Sequence, residues 1–437
     1  MVCFRLLLSV LLVASCVTAP TEPCDPYPQP ATKKGLQVQM VDDALELGIA
    51  HAGLNVDLVR LHAASADANA IPFAHGGREW RFDAAQTAQL DAQIGPLSRR
   101  GVVVSLILLH IRCGDRARDG LLLHPRRTDA PPNGICAPDV ASGEGRAANA
   151  AAVAFLASRY APSRKGVHGT VWNWICGNEV NSHWWWFHMG RASVDEVVDA
   201  YQPFVRLVHE ETTTHNAAAR TFVSLEHHWT LRYAAGDESQ AFAARDFLLR
   251  FAACARSRGD FAWHVAFHPY PENLFECRFW NDATAPDDDG AGRVTFKNLP
   301  VLARFLAQDA LLHAGRSRRV ILSEQGFHRR DGDSGERDQA AAFAAAWRAV
   351  ALEPVVDALI LHRHVDHAHE GGLRLGLWAR VDGSVCDPGR PTAMRRVFAA
   401  CDGPRAEEES QFALAVLGIE SWSELPRRLG HRSASLR

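Results

Sequence analysis

The chain has 437 residues, of which 47% are hydrophobic and 22% charged, with a formal net charge of −3. That balance is ordinary for a soluble globular protein with a large core. It leaves no basic surface for nucleic acid and no polybasic patch for a membrane. Aromatic use is skewed, with 12 Trp against 5 Tyr. Several of these Trp fall near expected strand ends, where they either fill the core or present flat apolar rings to a ligand.

The first sixteen residues, MVCFRLLLSVLLVASC, carry one positive side chain, Arg5, followed by an apolar run. The run is too short to span a membrane and has the length of a secretory signal core. It ends in Val13-Ala14-Ser15-Cys16, which is similar to a bacterial lipobox; Cys16 would then be the lipidated first residue of a cell-surface or periplasmic lipoprotein. Cleavage near Ser15 with free secretion is the alternative. Residues 17–35 are Pro-rich and aperiodic and read as a linker. Export permits disulfides. Apart from Cys3 and Cys16, Cys113 and Cys136 bracket one loop and are the expected pair, whereas Cys176 and Cys254 lie in apolar patterns that suit buried free thiols. No C-x-x-C pair exists, which excludes a zinc knuckle or a thioredoxin-like site.

From residue 36 strands and helices alternate. A first strand near 36–40 (GLQVQM) precedes a helix over 41–52, and GLNVDLVRL is a second strand over 53–61. A helix follows over 83–101, with Asp83 as N-cap and Gly101 as stop. VVVSLILLH, at 102–110, is a continuous apolar run, the pattern of a strand buried on both faces. The helix at 146–161 leads to the strand TVWNWICGNE, and the helix at 193–211 to RTFVSLE. The helix at 240–259 leads to FAWHVAFHPYP, that at 299–315 to RRVILSEQGF, and that at 336–352 to VVDALILHRHVD; a helix at 391–401 closes the series. Eight strands alternating with eight helices predict a parallel sheet with crossover helices, closed as an α/β, (β/α)8 TIM barrel over 36–403. No Gly-rich phosphate fingerprint follows an early strand, so no dinucleotide or other cofactor is expected. Residues 404–437 form a tail with one apolar patch and no assigned role; the oligomeric state is open.

Active sites of such barrels lie at the C-terminal ends of the strands. Seven of these runs end in polar residues: Arg60 and His62; His110; Asn178 and Glu179; Glu226, His227 and His228; His268 and Tyr270; Glu324; and His362, Arg363 and His364. Two carboxylates, Glu179 and Glu324, close the fourth and seventh strands and can face each other across a ligand. One then serves as a proton donor, kept protonated by apolar surroundings or a negative neighbour. The other stays ionised as a nucleophile, with Arg60 the candidate to hold its charge.

The GNE that ends the fourth strand, the HPY on the sixth and the SEQG that ends the seventh resemble the clan A glycoside hydrolases, and the layout resembles an uncharacterised bacterial family with glycosidase-like barrels. The resemblance covers residues 36–403. It implies an exported retaining glycoside hydrolase acting on a poly- or oligosaccharide, with Glu179 as acid/base and Glu324 as nucleophile. Asn178 would bind the sugar 2-hydroxyl, and His268 and Tyr270 would be a sixth-strand pair with the phenol near the nucleophile. Arg60 and His110 would be strand-end substrate groups, and Trp184, first of the run Trp184-Trp185-Trp186, a stacking platform. The clan often carries a Trp at the end of the eighth strand; here that strand ends LILHRHVDHAHE, and the nearest Trp is Trp378.

Rival readings remain at this level. Both glutamates can be structural, paired with strand-end Arg or His. The chain can be a catalytically inactive carbohydrate-binding barrel on the cell surface. His362, His364, Asp366, His367, His369 and Glu370 supply metal-ligand types, but metal-dependent hydrolases of this fold carry paired His on an early strand, so no metal is assigned.

Overall fold

The computed structural model describes residues 26–64, 67–162 and 167–432. The export segment at 1–16, with Cys16, and the linker up to residue 25 lie outside the described residues. Eight parallel strands close into a barrel: β1 (Lys34–Gln37), β2 (His51–Asp57), β3 (Val103–Leu109), β4 (Val171–Cys176), β5 (Arg220–Glu226), β6 (Trp263–His268), β7 (Val320–Leu322) and β8 (Val356–Leu361). Each pairs with its sequence neighbours, and β1 pairs with β8 through Lys34 and Leu359. Helices run between consecutive strands, and the architecture is a (β/α)8 barrel.

The interior is filled by inward-facing side chains, among them Ile107, Leu109, Ile175, Phe222, Ala266, Ile321, Ala358 and Ile360. Closure at β1 depends on Gly35, where a Cβ would lie 2.9 Å from both His51 Cβ and Ile360 Cγ1. A larger apolar layer separates the sheet from the helices. The base is closed by charge. Asp357 on β8 accepts from Arg220 on β5 at 2.8 Å and pairs with Arg319 just before β7. The Arg220 guanidinium lies over the ring of Tyr27, whose hydroxyl donates to Asn173 at 3.1 Å. Residues 26–33, read from sequence as linker, thus lie against this base.

Element boundaries moved where local turn chemistry intervened. The first helix ends at Glu46, because Gly48 takes φ of +68° and turns the chain, so β2 starts at His51. β2 then stops at Asp57, whose carboxylate caps a helical turn over Leu58–Leu61 by accepting from Val59 N and Arg60 N. The β2 connection also holds a hairpin, Ile71–His75 with Arg78–Phe82, turned by Gly76 and Gly77 with positive φ. Cys113 and Cys136 are not bonded: both thiols are free, and Cys113 Sγ donates to Asp119 Oδ1 at 3.2 Å. Cys176 and Cys254 are also free. The tail folds back, burying Leu414, Leu417, Leu425 and Leu429, with Arg428 donating to Asn281 Oδ1 at 2.8 Å.

Candidate active site

Glu179 reaches the mouth through a distorted turn. β4 ends at Cys176, Gly177 takes φ of +70°, and Glu179 itself is left-handed at φ of +40°. A non-glycine residue is rarely held there, and such conformations gather at functional sites. Two neighbours hold the turn. Glu179 N–H donates to Ser224 Oγ on β5 at 3.1 Å, and the short helical turn Val180–Ser182 is tied down by Asn181 and Ser182, which donate to Glu226 Oε1 at 2.6 and 3.0 Å.

His268, the last residue of β6, bridges the two sides. Its Nδ1 lies 2.9 Å from Glu179 Oε1, and its Nε2 lies 3.0 Å from Ser323 Oγ, one residue before Glu324. A carboxylate oxygen of Glu179, one of Glu324 and a ring nitrogen of His268 all fall within 4.8 Å of one another. Tyr270 donates its hydroxyl to Glu324 Oε1 at 3.2 Å, and Gln37 Nε2 donates to Glu324 Oε2 at 3.4 Å. Glu179, Glu324, His268 and Tyr270 therefore meet at one place, with Asn178 half-buried beside Glu179.

Their protonation tendencies diverge. Burial pushes the Glu179 carboxyl above its usual range; the negative charges of Glu324 and Glu226 add to that, against the opposing pull of His268. Burial also pushes Glu324 upward, but the imidazoles of His362 and His268 and the Gln37 hydrogen bond outweigh it, and Glu324 sits below its usual range. Desolvation of His268 is likewise outweighed by Glu179 and its neighbouring carboxylates, so the imidazole is held above its usual value. Burial and the adjacent Glu324 keep Tyr270 protonated far into the alkaline range, as a hydrogen-bond donor requires.

A second ring of polar groups supports the pair. His362 at the end of β8 takes Gln37 Oε1 at 2.7 Å on Nδ1, while its Nε2 lies 3.3 Å from Glu370, whose carboxylate also pairs with Arg363. Across the barrel Glu226 accepts from Asn181, Ser182 and His228 N–H, and lies 2.6 Å from His228 Nδ1. Beside Glu324 a cleft of about 260 Å³ is walled by Gln37, Gln39, Asn55, Gln93 and Arg363. Four amides and a guanidinium, beside Val38 and Leu54, line this cleft with groups that can bond hydroxyls.

Two expected site residues are elsewhere. Arg60 is not a strand-end group facing Glu324; it sits on the capped turn after β2, its side chain half-exposed and paired with Asp57 at 2.7 Å. The groups that favour ionised Glu324 are histidines and Gln37 instead. His110 is buried, with Nε2 2.7 Å from Asn149 Oδ1 and its ring against Phe204, so it anchors the β3 connection to the helix at Gly143–Arg159. Trp184 packs on His188 and Arg191 within its own loop, and Trp185 packs on Tyr233.

The His-rich stretch after β8 is divided among separate partners. His364 bonds Asp43 at 2.8 Å, Asp366 bonds Arg329, and His362 joins Gln37 and Glu370. Glu226, His227 and His228 also bring ligand atoms close together, but the Glu226 oxygens are already taken by four donors. Sequence reasoning named Glu226, His362 and Glu370 without assigning them a role, and it missed Gln37 and Ser323. The sole signal for Gln37 was its place at the end of a short first strand.

The model of a family of unknown function, DUF5722, matches residues 26–425, and the chain belongs to that family. No curated protein matches. Among solved structures, the fold is similar to a family 39 glycoside hydrolase from Bacteroides cellulosilyticus WH2 at 12% identity and TM-score 0.54, covering 85% of this chain and 63% of that one. It is also similar to the hyperthermophilic beta-glucosidase of Pyrococcus furiosus, at 15% identity and TM-score 0.51, over 86% of each chain. A third is Fpglu1 from Fervidobacterium pennivoraus, at 14% identity and TM-score 0.53, over 84% of this chain and 82% of that one. The chain spans less than two thirds of the length of the family 39 enzyme.

Proposed function

We propose that this member of the DUF5722 family is a retaining glycoside hydrolase, exported from the cell, that cleaves O-glycosidic bonds of a poly- or oligosaccharide. The observation that carries this reading is the pair Glu179 and Glu324: two carboxyl groups with oxygens inside 4.8 Å and protonation tendencies pushed in opposite directions. Retaining hydrolases need carboxyls about 5–5.5 Å apart, because the nucleophile itself bonds the sugar; inverting ones hold theirs at about 6.5–9.5 Å to admit water.

The roles follow from the charges. Glu179 holds the proton and delivers it to the leaving oxygen as the glycosidic bond breaks. Glu324, ionised, attacks the anomeric carbon and forms a glycosyl ester. Glu179, now a carboxylate, takes a proton from water, which attacks the anomeric carbon, breaks its bond to the Glu324 carboxylate and frees Glu324. Tyr270 and Gln37 hold the two Glu324 oxygens in place, and His268 orients Glu179. The amide-lined cleft beside Glu324 receives the sugar whose bond is cut. The like structures named above include glycosidases, which supports the class and leaves the sugar open.

The test uses the purified chain on a panel of plant and algal polysaccharides, beside Glu324→Gln. Turnover by the wild type, with the product anomer retained in early NMR spectra, is expected, and Glu324→Gln is expected to be silent. Equal hydrolysis by both proteins would sink the assignment. Binding without turnover, unchanged in Glu324→Gln and in Glu179→Gln, would make the protein a binding barrel instead.

A further inference from the structure

The loops after β7 and β8 enclose a cavity of about 580 Å³ that the catalytic reading does not use. Its wall carries four guanidinium groups, those of Arg329, Arg374, Arg380 and Arg390, beside His367, against two carboxylates, Asp366 and Asp382. Asp366 is already committed, accepting from Arg329 Nη2 at 2.5 Å and from Gly376 N at 2.7 Å. Behind the wall Glu336 pairs with Arg329 and Arg390, and Asp331, which pairs with Arg374, is 94% exposed. Among the described residues Arg380 has only backbone partners, the carbonyls of Val381 and Ser384.

Arg329 supplies the decisive observation. Its side chain is 5% exposed, and its Nη1 is buried without a hydrogen-bond partner among the described residues. An unmade hydrogen bond on a buried guanidinium is costly, and such groups are retained where something else completes them. Asp366 takes Nη2 and Glu336 faces Nε, which leaves Nη1; a guanidinium that lines a cavity with three further arginines and has one N–H unmade is completed by a carboxylate or a tetrahedral oxyanion.

The cavity shares the catalytic face. Asp366 and His367 precede Glu370, and Gly372 to Arg374 follow it; Glu370 is the carboxylate that bonds His362 and Arg363 beside the cleft at Glu324. We propose that this cavity binds an oxyanion carried by the glycan, a uronate carboxylate or a sulfate ester, and so selects an anionic polysaccharide. The saccharide part rests on the hydrolase reading; the oxyanion part stands on the cavity alone.

The experiment measures binding of sodium sulfate and, separately, of sodium glucuronate to the full chain by calorimetry, against sodium chloride at matched ionic strength. Saturable binding of at least one is expected, and which one binds distinguishes sulfate ester from uronate. Arg380→Ala and Arg374→Gln, each confirmed folded by circular dichroism, are expected to weaken it by roughly tenfold, the size of one lost charge-assisted hydrogen bond. Glu324→Gln is expected to bind as the wild type does. Binding of neither anion, or binding unchanged in both arginine variants, overturns the proposal. Anion binding without turnover of any glycan leaves the cavity standing and removes the hydrolase; turnover with neither anion bound does the reverse.

Discussion

The two ends of the barrel both bury charge, and they treat it oppositely. At the base Asp357 is matched by two guanidinium groups, from Arg220 and Arg319, and Tyr27 covers one of them. At the mouth four carboxylates, Glu179, Glu226, Glu324 and Glu370, stand among imidazoles and two guanidinium groups, those of Arg363 beside Glu370 and of Arg293 behind His228. Negative charge is in excess there, so the carboxylates cannot all ionise with equal ease. Glu226 and Glu370, well supplied with hydrogen bonds and positive neighbours, are both held at about 2. The burden falls on Glu179, whose carboxyl is pushed above its usual range. Pairing at the base closes the barrel; unequal pairing at the mouth pushes Glu179 and Glu324 in opposite directions.

The sharpest break in that comparison comes from the glutamates themselves. Glu179→Gln removes the proposed proton donor and is expected to reduce kcat/KM by about 10²–10⁴-fold on substrates with poor leaving groups, the usual contribution of a positioned acid. Glu324→Gln, which removes the proposed nucleophile, is expected to cost more. Glu179→Gln should not lower the urea midpoint, because the fold disfavours the ionised form of that carboxyl, whereas Glu324→Gln gives up the imidazole and Gln37 interactions that favour its charge and should lower it slightly. A Glu179 variant that lost stability and activity in parallel would show that the mouth is built like the base.

The converse change is at the base. Asp357→Ala strands two guanidinium groups that are only about one-third exposed or less. A loss of about 1–3 kcal/mol of unfolding free energy is expected, the cost of leaving partly buried donors unmade. Steady-state kinetics at 25 °C should stay near wild type, because no part of the ion pair touches the substrate groups. Lost turnover at unchanged stability would mean that the base and the mouth are coupled through the strands.

How much of this was legible in the sequence depended on period and punctuation. The apolar run at Val103–Leu109 and the alternation of strands with helices were strong enough to give the barrel and its strand count. Glu179 and Glu324 stood out because each follows an apolar run directly. Arg60 failed for a local reason: Asp57 caps its own helical turn, a signal present as Asp-Leu-Val-Arg but outweighed by the apolar pattern. The hairpin at residues 71–82 carried a Gly-Gly turn between alternating residues and was readable by the same rules. Gln37 and Ser323 were not readable, since their value comes from register across the barrel: Gln37 reaches Glu324 from a strand nearly 290 residues earlier in the chain. The missing Cys113–Cys136 bond shows the limit of loop bracketing, which says nothing about where the thiols point.

The smallest effect tests the sorting itself. Glu226 touches neither Glu179 nor Glu324 directly in the hydrogen-bond network, yet its charge is one of the influences that raises Glu179 and is not among the main ones acting on Glu324. The pH profile of kcat/KM should be bell-shaped. Activity falls as pH drops through the Glu324 value, where the nucleophile gains a proton, and falls again as pH rises through the Glu179 value, where the acid loses one. Glu226→Gln removes a negative neighbour, so Glu179 gives up its proton more readily. The alkaline limb should then move to lower pH, by about one unit at most for a single charge in a partly polar interior, while the acid limb stays in place. A role confined to holding Asn181 and His228 would lower activity at every pH and move neither limb. That outcome would confine Glu226 to structure and leave burial and Glu324 alone to keep the proton on Glu179.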